Sequence, residues 1–303
     1  MGPLLVLVLV LLLVLLLIQL STAATTASPM VKTGCSEKCG NISVPYPFGM
    51  GDENCYRDGS FKVICNSTSY DPPKLFTGDV EILDISLQGQ ERQLGYVSRD
   101  CYSSPGTWSF RVQAYYSNGS PFTLSETENR FTVLGIGCCQ TSIPKGFSSF
   151  TLNVTSYENH ELVYEFNPCS VAFIVDYNWY NFSTSDLLNF TYNIDGTGSP
   201  RVPFVLDWAI AWPSENNKSC EAAQTDMNTY ACGSNSVCSE SKNGVGYSCN
   251  CSHGYQGNPY LENGCQEVEC LLRVEPSDLY SGNNTDYDSL RNQVIGSLDI
   301  DVR

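Results

Sequence analysis

The chain has 303 residues, and its 16 basic against 32 acidic side chains give a net charge of −16. That balance excludes nucleic acid as a natural partner, since a polyphosphate is bound by clustered lysine and arginine, and it disfavours adhesion to acidic surfaces. The length allows two or three domains, and fifteen cysteines beside two histidines point to disulfides rather than zinc, because there is no Cys-x-x-Cys and His160 and His253 lie far apart.

Leu4 to Ile18 is an unbroken run of Leu, Val and Ile, followed by Ser21, Thr22, Ala23 and Ala24. The run falls short of the ~20 residues of a membrane span, and the small residues after it suit signal-peptidase cleavage. Residues 1–23 therefore read as a signal peptide, and the mature chain as secreted and without a membrane span. No Lys or Arg precedes the run, which leaves an uncleaved anchor as the competing reading. Nine Asn-x-Ser/Thr sequons, at Asn41, Asn66, Asn118, Asn153, Asn181, Asn189, Asn217, Asn250 and Asn283, fit an exported glycoprotein. Asn250, between two cysteines, is the one expected to stay unmodified.

Beyond the leader the charge is uneven. Residues 31–74 hold five bases (Lys32, Lys38, Arg57, Lys62, Lys74) and five acids (Glu37, Asp52, Glu53, Asp58, Asp71), so the acidic excess lies downstream. Eight cysteines come early (Cys35, Cys39, Cys55, Cys65, Cys101, Cys138, Cys139, Cys169) and six late (Cys220, Cys232, Cys238, Cys249, Cys251, Cys265), with Cys270 left over. Both groups are even and can close on themselves, which places a domain boundary between Cys169 and Cys220. The pairing of the early eight stays open, except that Cys138 and Cys139 should take different partners, since adjacent residues rarely meet disulfide geometry.

The early region reads as mainly β and disulfide-rich, with a sandwich-like arrangement. Val80–Leu87, Trp108–Tyr116, Phe131–Ile136, Phe150–Val154, Val171–Tyr177 and Val202–Trp212 are rich in β-branched and aromatic residues. Asp58-Gly59, Asn118-Gly119 and Asp195-Gly196 are turn signals, and no stretch carries a capped helical stripe. Pro203 marks an edge or a strand start, because proline cannot donate to a central ladder. Trp108, Trp179, Trp208 and Trp212 read as core residues.

The late cysteines are separated by eleven, five, ten, one and thirteen residues, with Gly254-Tyr255 and Gly257 before Cys265. This pattern resembles an EGF-like domain, a module too small to fold on burial alone. The resemblance implies the pairs Cys220–Cys238, Cys232–Cys249 and Cys251–Cys265; spacing alone leaves the connectivity open. Glu215 is the one acid in the entry segment before Cys220, too few for a tight calcium site. Gln266-Glu267-Val268-Glu269-Cys270 resembles the start of a second, calcium-binding EGF module that does not follow. Residues 267–303 read as a disordered acidic tail. Cys270 is then a free thiol, a bond to another chain, or the mark of an interrupted gene.

Cys35-Ser-Glu-Lys-Cys39-Gly-Asn-Ile-Ser-Val-Pro45-Tyr46-Pro47-Phe48-Gly49, followed by Cys55 and Cys65, resembles the galacturonan-binding domain of plant wall-associated receptor kinases. Gly135-Ile136-Gly137-Cys138-Cys139-Gln140-Thr141-Ser142-Ile143-Pro144, Val171–Val175, Val202–Trp208 and Gly254–Leu261 resemble further segments of that family, in its order. The implied layout is a galacturonan-binding domain over 30–105, a second β-domain over 106–215 and the EGF-like domain over 216–266, without transmembrane and kinase regions. The implied function is an extracellular protein of the cell wall that binds pectin or oligogalacturonides. The alternative is a structural ectodomain that contacts other receptors and no glycan. No cofactor is expected, apart from calcium as a bridge to pectin.

Within the early motif, Pro45 and Pro47 hold a short extended segment in which Tyr46 and Phe48 alternate, one inward and one offered to a sugar ring. Lys38, Arg57 and Lys62 would meet uronate carboxylates, Arg57 through its planar fork. Lys38, Tyr46, Phe48, Arg57 and Lys62 thus form the candidate glycan-binding set; residue by residue, the same proline–aromatic run reads better as a core anchor. Enzyme chemistry has little support: the cysteines are expected to be oxidised, and neither histidine lies in a nucleophile context. Paired carboxylates for glycoside hydrolysis stay open.

Overall fold

The computed structural model describes residues 28–268, except 118, 120, 136, 191–198, 214–217, 227 and 243–244. The leader, Asn118, Asn217, Asn283, the Asp195-Gly196 turn, Cys270 and the tail beyond Val268 therefore lie outside the described residues.

Strands dominate. In chain order they are β1 (Lys38–Cys39), β2 (Ile42–Ser43), β3 (Ile64–Asn66), β4 (Lys74–Thr77), β5 (Val80–Ser86), β6 (Gln90–Tyr96) and β7 (Ser98–Ser104). Next come β8 (Thr107–Val112), β9 (Ala114–Ser117), β10 (Phe122–Leu124), β11 (Asn129–Leu134), β12 (Cys138–Ser142), β13 (Ser149–Leu152) and β14 (Cys169–Asp176). The last are β15 (Arg201–Trp208), β16 (Ile210–Ala211), β17 (Ser236–Glu240), β18 (Gly246–Cys251), β19 (Tyr255–Gly257) and β20 (Cys265–Glu267). Two short helices, α1 (Ser185–Leu188) and α2 (Cys220–Thr225), interrupt them. Ser219 caps α2 by accepting from Ala222 N. Asp58-Gly59 makes no hairpin; Asp58 caps a 3₁₀ turn over Gly59–Phe61.

Two larger antiparallel sheets carry the fold: one of order β10-β15-β6-β5-β4-β3, the other β12-β11-β14-β7-β8. Their central strands β14 and β15 are buried along almost their whole length, which is why Val171–Val175 and Val202–Leu206 read as continuous apolar runs. Pro203 lies in an inner strand after all. It opposes Leu94 of β6, while β10 joins β15 only from Leu206 onward, so the missing N–H faces no ladder there.

One hydrophobic core runs from Cys39 to Leu261. At its centre Phe48, Phe61, Phe122 and Trp208 pack edge to face or tilted, with Phe48–Phe61 at 5.1 Å and Phe48–Trp208 at 5.2 Å. A second core gathers Val97, Leu134, Val171, Phe173, Val175 and Val202 under Tyr180 and Phe190.

Six disulfides staple the described residues. Cys220–Cys238, Cys232–Cys249 and Cys251–Cys265 are those the EGF resemblance implies. The early pairs are Cys35–Cys55, Cys39–Cys65 and Cys101–Cys169. The early group does not close on itself: Cys138 and Cys139 are free thiols, placed on the edge strand β12.

The expected division into three domains does not match the packing. β3–β6 share a sheet with β10 and β15, so residue 105 is no boundary in the core. Residues 216–266 are joined to the rest as well: β16 pairs with β18 of the EGF-like hairpin, Ile210 opposite Tyr247, and Tyr260 lies 5.5 Å from Trp208. The described residues from 28 to 267 fall in one compact unit.

Candidate functional site

The segment 35–65 is a set of short turns held by two disulfides. Cys35–Cys55 and Cys39–Cys65 tie the β1–β2 hairpin to the turns that follow it. Gly49 fits because a Cβ there would stand 2.1 Å from the Cys55 carbonyl oxygen. Its N–H donates to Phe61 O at 3.2 Å and its carbonyl accepts from Val63 N at 3.0 Å.

The five candidate residues do not come together as one face. Phe48 is 1% exposed at the centre of the aromatic core and offers no surface to a sugar. Tyr46 is buried as well, and the Lys32 ammonium sits 4.3 Å from its ring centroid. The expected alternation fails because the segment turns: Phe48 N donates to Pro45 O at 3.0 Å. The motif is a core anchor.

Arg57 is half-buried, and its guanidinium donates to the Thr229 carbonyl of the EGF-like module. One terminal nitrogen of its fork is spent on holding the module. Lys38 and Lys62 remain. Both are exposed, and neither has an ion-pair partner among the described residues; Lys62 leans over Tyr56 at 5.8 Å. Lys74, by contrast, is bonded to Glu81 at 2.9 Å. Each can meet an anion locally with an ammonium group that no ion pair among the described residues occupies.

Two sequons, Asn41 and Asn66, lie in or next to the same segment. Asn41, in the turn between β1 and β2, is exposed. Asn66 folds its carbonyl back onto Thr68 N, Thr68 Oγ1 and Ser69 N at 3.0–3.2 Å, leaving its amide nitrogen outside these bonds. Asn153, Asn181 and Asn189 are exposed, and so is Asn250, whose Nδ2 donates to Ser239 Oγ.

A polar cleft of about 450 Å³ opens where the EGF-like hairpin meets β6 and β15. Gln88, Gln90, Glu128, Asp207 and Lys242 line it, and burial pushes the Asp207 carboxyl up from its ordinary range. Among the described residues no group of three or more His, Cys, Asp or Glu is placed to hold a metal. No helix among them is long and apolar enough to cross a membrane. The tryptophans divide: Trp208 is 2% exposed and central to the core, whereas Trp108, expected inside, is 58% exposed on the edge strand β8.

Comparison with known proteins agrees with the stapled segment. Residues 35–96 match the family model described as wall-associated receptor kinase galacturonan-binding. Wall-associated receptor kinase 2 of Arabidopsis thaliana is 35% identical over 275 residues, covering 78% of this chain and 35% of that protein. Wall-associated receptor kinases 5 and 1 of the same plant are each 30% identical, covering 83% and 86% of this chain and 37% and 38% of theirs. The chain thus spans a little over a third of the length of the curated relatives it matches. No solved structure matches it. Residues 35–96 thus match a domain model of the wall-associated receptor kinase type, and the chain is similar in sequence to those receptor kinases over about four-fifths of its length.

Proposed function

We propose that this is an extracellular, non-enzymatic binding protein for pectin, acting on galacturonan or its oligomers at the cell wall. The observation that carries the reading is the match of residues 35–96 to the galacturonan-binding model. Six disulfides and exposed sequons suit a secreted protein. Lys38 and Lys62 are the residues of that segment that meet uronate carboxylates, with calcium as an additional bridge between acidic groups of protein and polysaccharide. At a net charge of −16 the chain repels a polyanion at long range. At ~0.15 M salt, however, the screening length is ~8 Å, so contact charges outweigh distant ones. Single-site affinity is then micromolar or weaker and is raised by many contacts along one polymer.

The test is a glycan array probed with the full secreted chain. Selective retention on de-esterified galacturonan supports the reading. Silence on the array with capture of receptor ectodomains replaces it by a protein-contact role, and release of reducing ends over time replaces it by an enzyme.

A further inference from the structure

The edge strand β8 carries an arrangement that the matched segment 35–96 does not include. Asp100 of β7 is fully buried, and its carboxylate collects donors from four directions. Trp108 Nε1 and Arg111 Nε both donate to Oδ1, at 3.2 and 3.1 Å. Tyr102 Oη and Ser156 N donate to Oδ2, at 3.0 and 3.1 Å. One buried acid therefore fixes two outward side chains. The Trp108 ring is 58% exposed, and the Arg111 side chain is 38% exposed. The terminal nitrogens of Arg111 make no hydrogen bond among the described residues, so its outer edge is available.

A second observation lies next to this pair. Ser156, which holds the other oxygen of Asp100, also lines a cavity of about 370 Å³ together with His160 and Asn167. Asn167 is fully buried, yet its Oδ1 has no hydrogen-bond partner. That oxygen is itself shut off from solvent, so a ligand in the cavity meets its other lining groups. Glu158 and Glu161 line the same cavity, which makes it a place for hydroxyl groups and not for a carboxylate.

We propose that Trp108 and Arg111, beside the cavity lined by Ser156, form a second sugar site for an acidic pyranose, a uronate residue of a polysaccharide. The ring stacks on the indole, the carboxylate takes the outer edge of the Arg111 guanidinium, and hydroxyls of the sugar or its neighbour face the cavity lined by Ser156, Glu158 and Glu161. Indole and guanidinium share one anchoring oxygen, so their nitrogens stand no farther apart than the two hydrogen bonds together, a span that one sugar residue bridges. The site rests on the reading of the chain as a galacturonan binder, but it lies outside the segment that carries that reading.

Hydroxyl-radical footprinting of the secreted chain with trigalacturonate, and with a neutral xylo-oligosaccharide of equal length, separates the two ideas. Trigalacturonate should slow oxidation of Trp108 at least about threefold, the neutral sugar should not, and the double variant Lys38→Ala/Lys62→Ala should keep the protection. In titration, Trp108→Ala should lower trigalacturonate affinity about tenfold. The footprint needs no substitution, so a misfolded variant leaves the test intact. Binding with Trp108 unprotected, or equal protection by the neutral sugar, overturns the second site alone. Absence of any binding overturns the pectin reading and this site with it.

Discussion

Glu91 shows how one buried side chain sets a pH dependence. It is 2% exposed, and its Oε1 accepts from Gln93 Nε2 at 2.6 Å, while Gln93 Oε1 accepts from Tyr116 Oη at 2.8 Å. Burial pushes its carboxyl from an ordinary 4.5 to about 7, against the opposing hydrogen bond from Gln93. Between those values the folded chain keeps a proton that the unfolded chain releases, so stability is complete below about 4.5 and falls as pH rises towards 7. At about 1.4 kcal/mol per unit, the loss is of order 3 kcal/mol. Glu91→Gln should flatten this slope and raise the melting temperature at pH 8 relative to the parent. Parallel melting curves from pH 4 to 8 for both proteins would contradict the assignment.

At the scale of elements, the EGF-like loop between β19 and β20 is the fastening of the fold. Asn258 is fully buried; its Nδ2 donates to Met30 O at 2.8 Å and Tyr46 O at 2.7 Å, and its Oδ1 accepts from Tyr260 N at 3.0 Å. Asn258→Asp turns both donor contacts into carboxylate facing carbonyl. It should cost more than Asn258→Ala, which leaves the Tyr46 carbonyl unpaired at about 1–3 kcal/mol while Met30 O keeps the Tyr46 N–H. Chemical denaturation of both variants checks the order, and equal midpoints for Asp, Ala and parent would remove Asn258 from this role. The six late cysteines were legible in sequence because a disulfide framework dictates its own local fold. Asn258 was not, since its partner Tyr46 stands 212 residues away. The core-anchor role of Phe48 and Tyr46 was readable, but their partners were not, because the turn that hides them depends on the Phe61 and Trp208 packing around it.

For the whole molecule, the consequence is that the EGF-like module and the β-structure unfold together. Removing residues 219–268 would uncover Trp208, Ile210 and Tyr46 and strip the Arg57 contact. The intact chain should show one cooperative transition, and the shortened chain should lose at least about 3–5 kcal/mol, the scale of a large buried aromatic contact, or fail to fold. Two separate calorimetric transitions in the intact protein would mean independent domains. Fold class was legible from the strand-rich runs. Domain boundaries were not, because even cysteine counts say nothing about which strands share a sheet, and Cys138 and Cys139 on β12 break the count itself.

The most direct test of the account is a calorimetric titration of the full secreted chain with an oligogalacturonide of defined length, with and without calcium. The comparison is with Lys38→Ala/Lys62→Ala, two exposed cations outside the core. The parent should bind, and the double variant should bind roughly tenfold more weakly, as expected for two exposed ion pairs worth up to ~1 kcal/mol each. No heat of binding in the parent, or equal affinity in the variant under both calcium conditions, would contradict the claim that this stapled segment reads galacturonan through its free lysines.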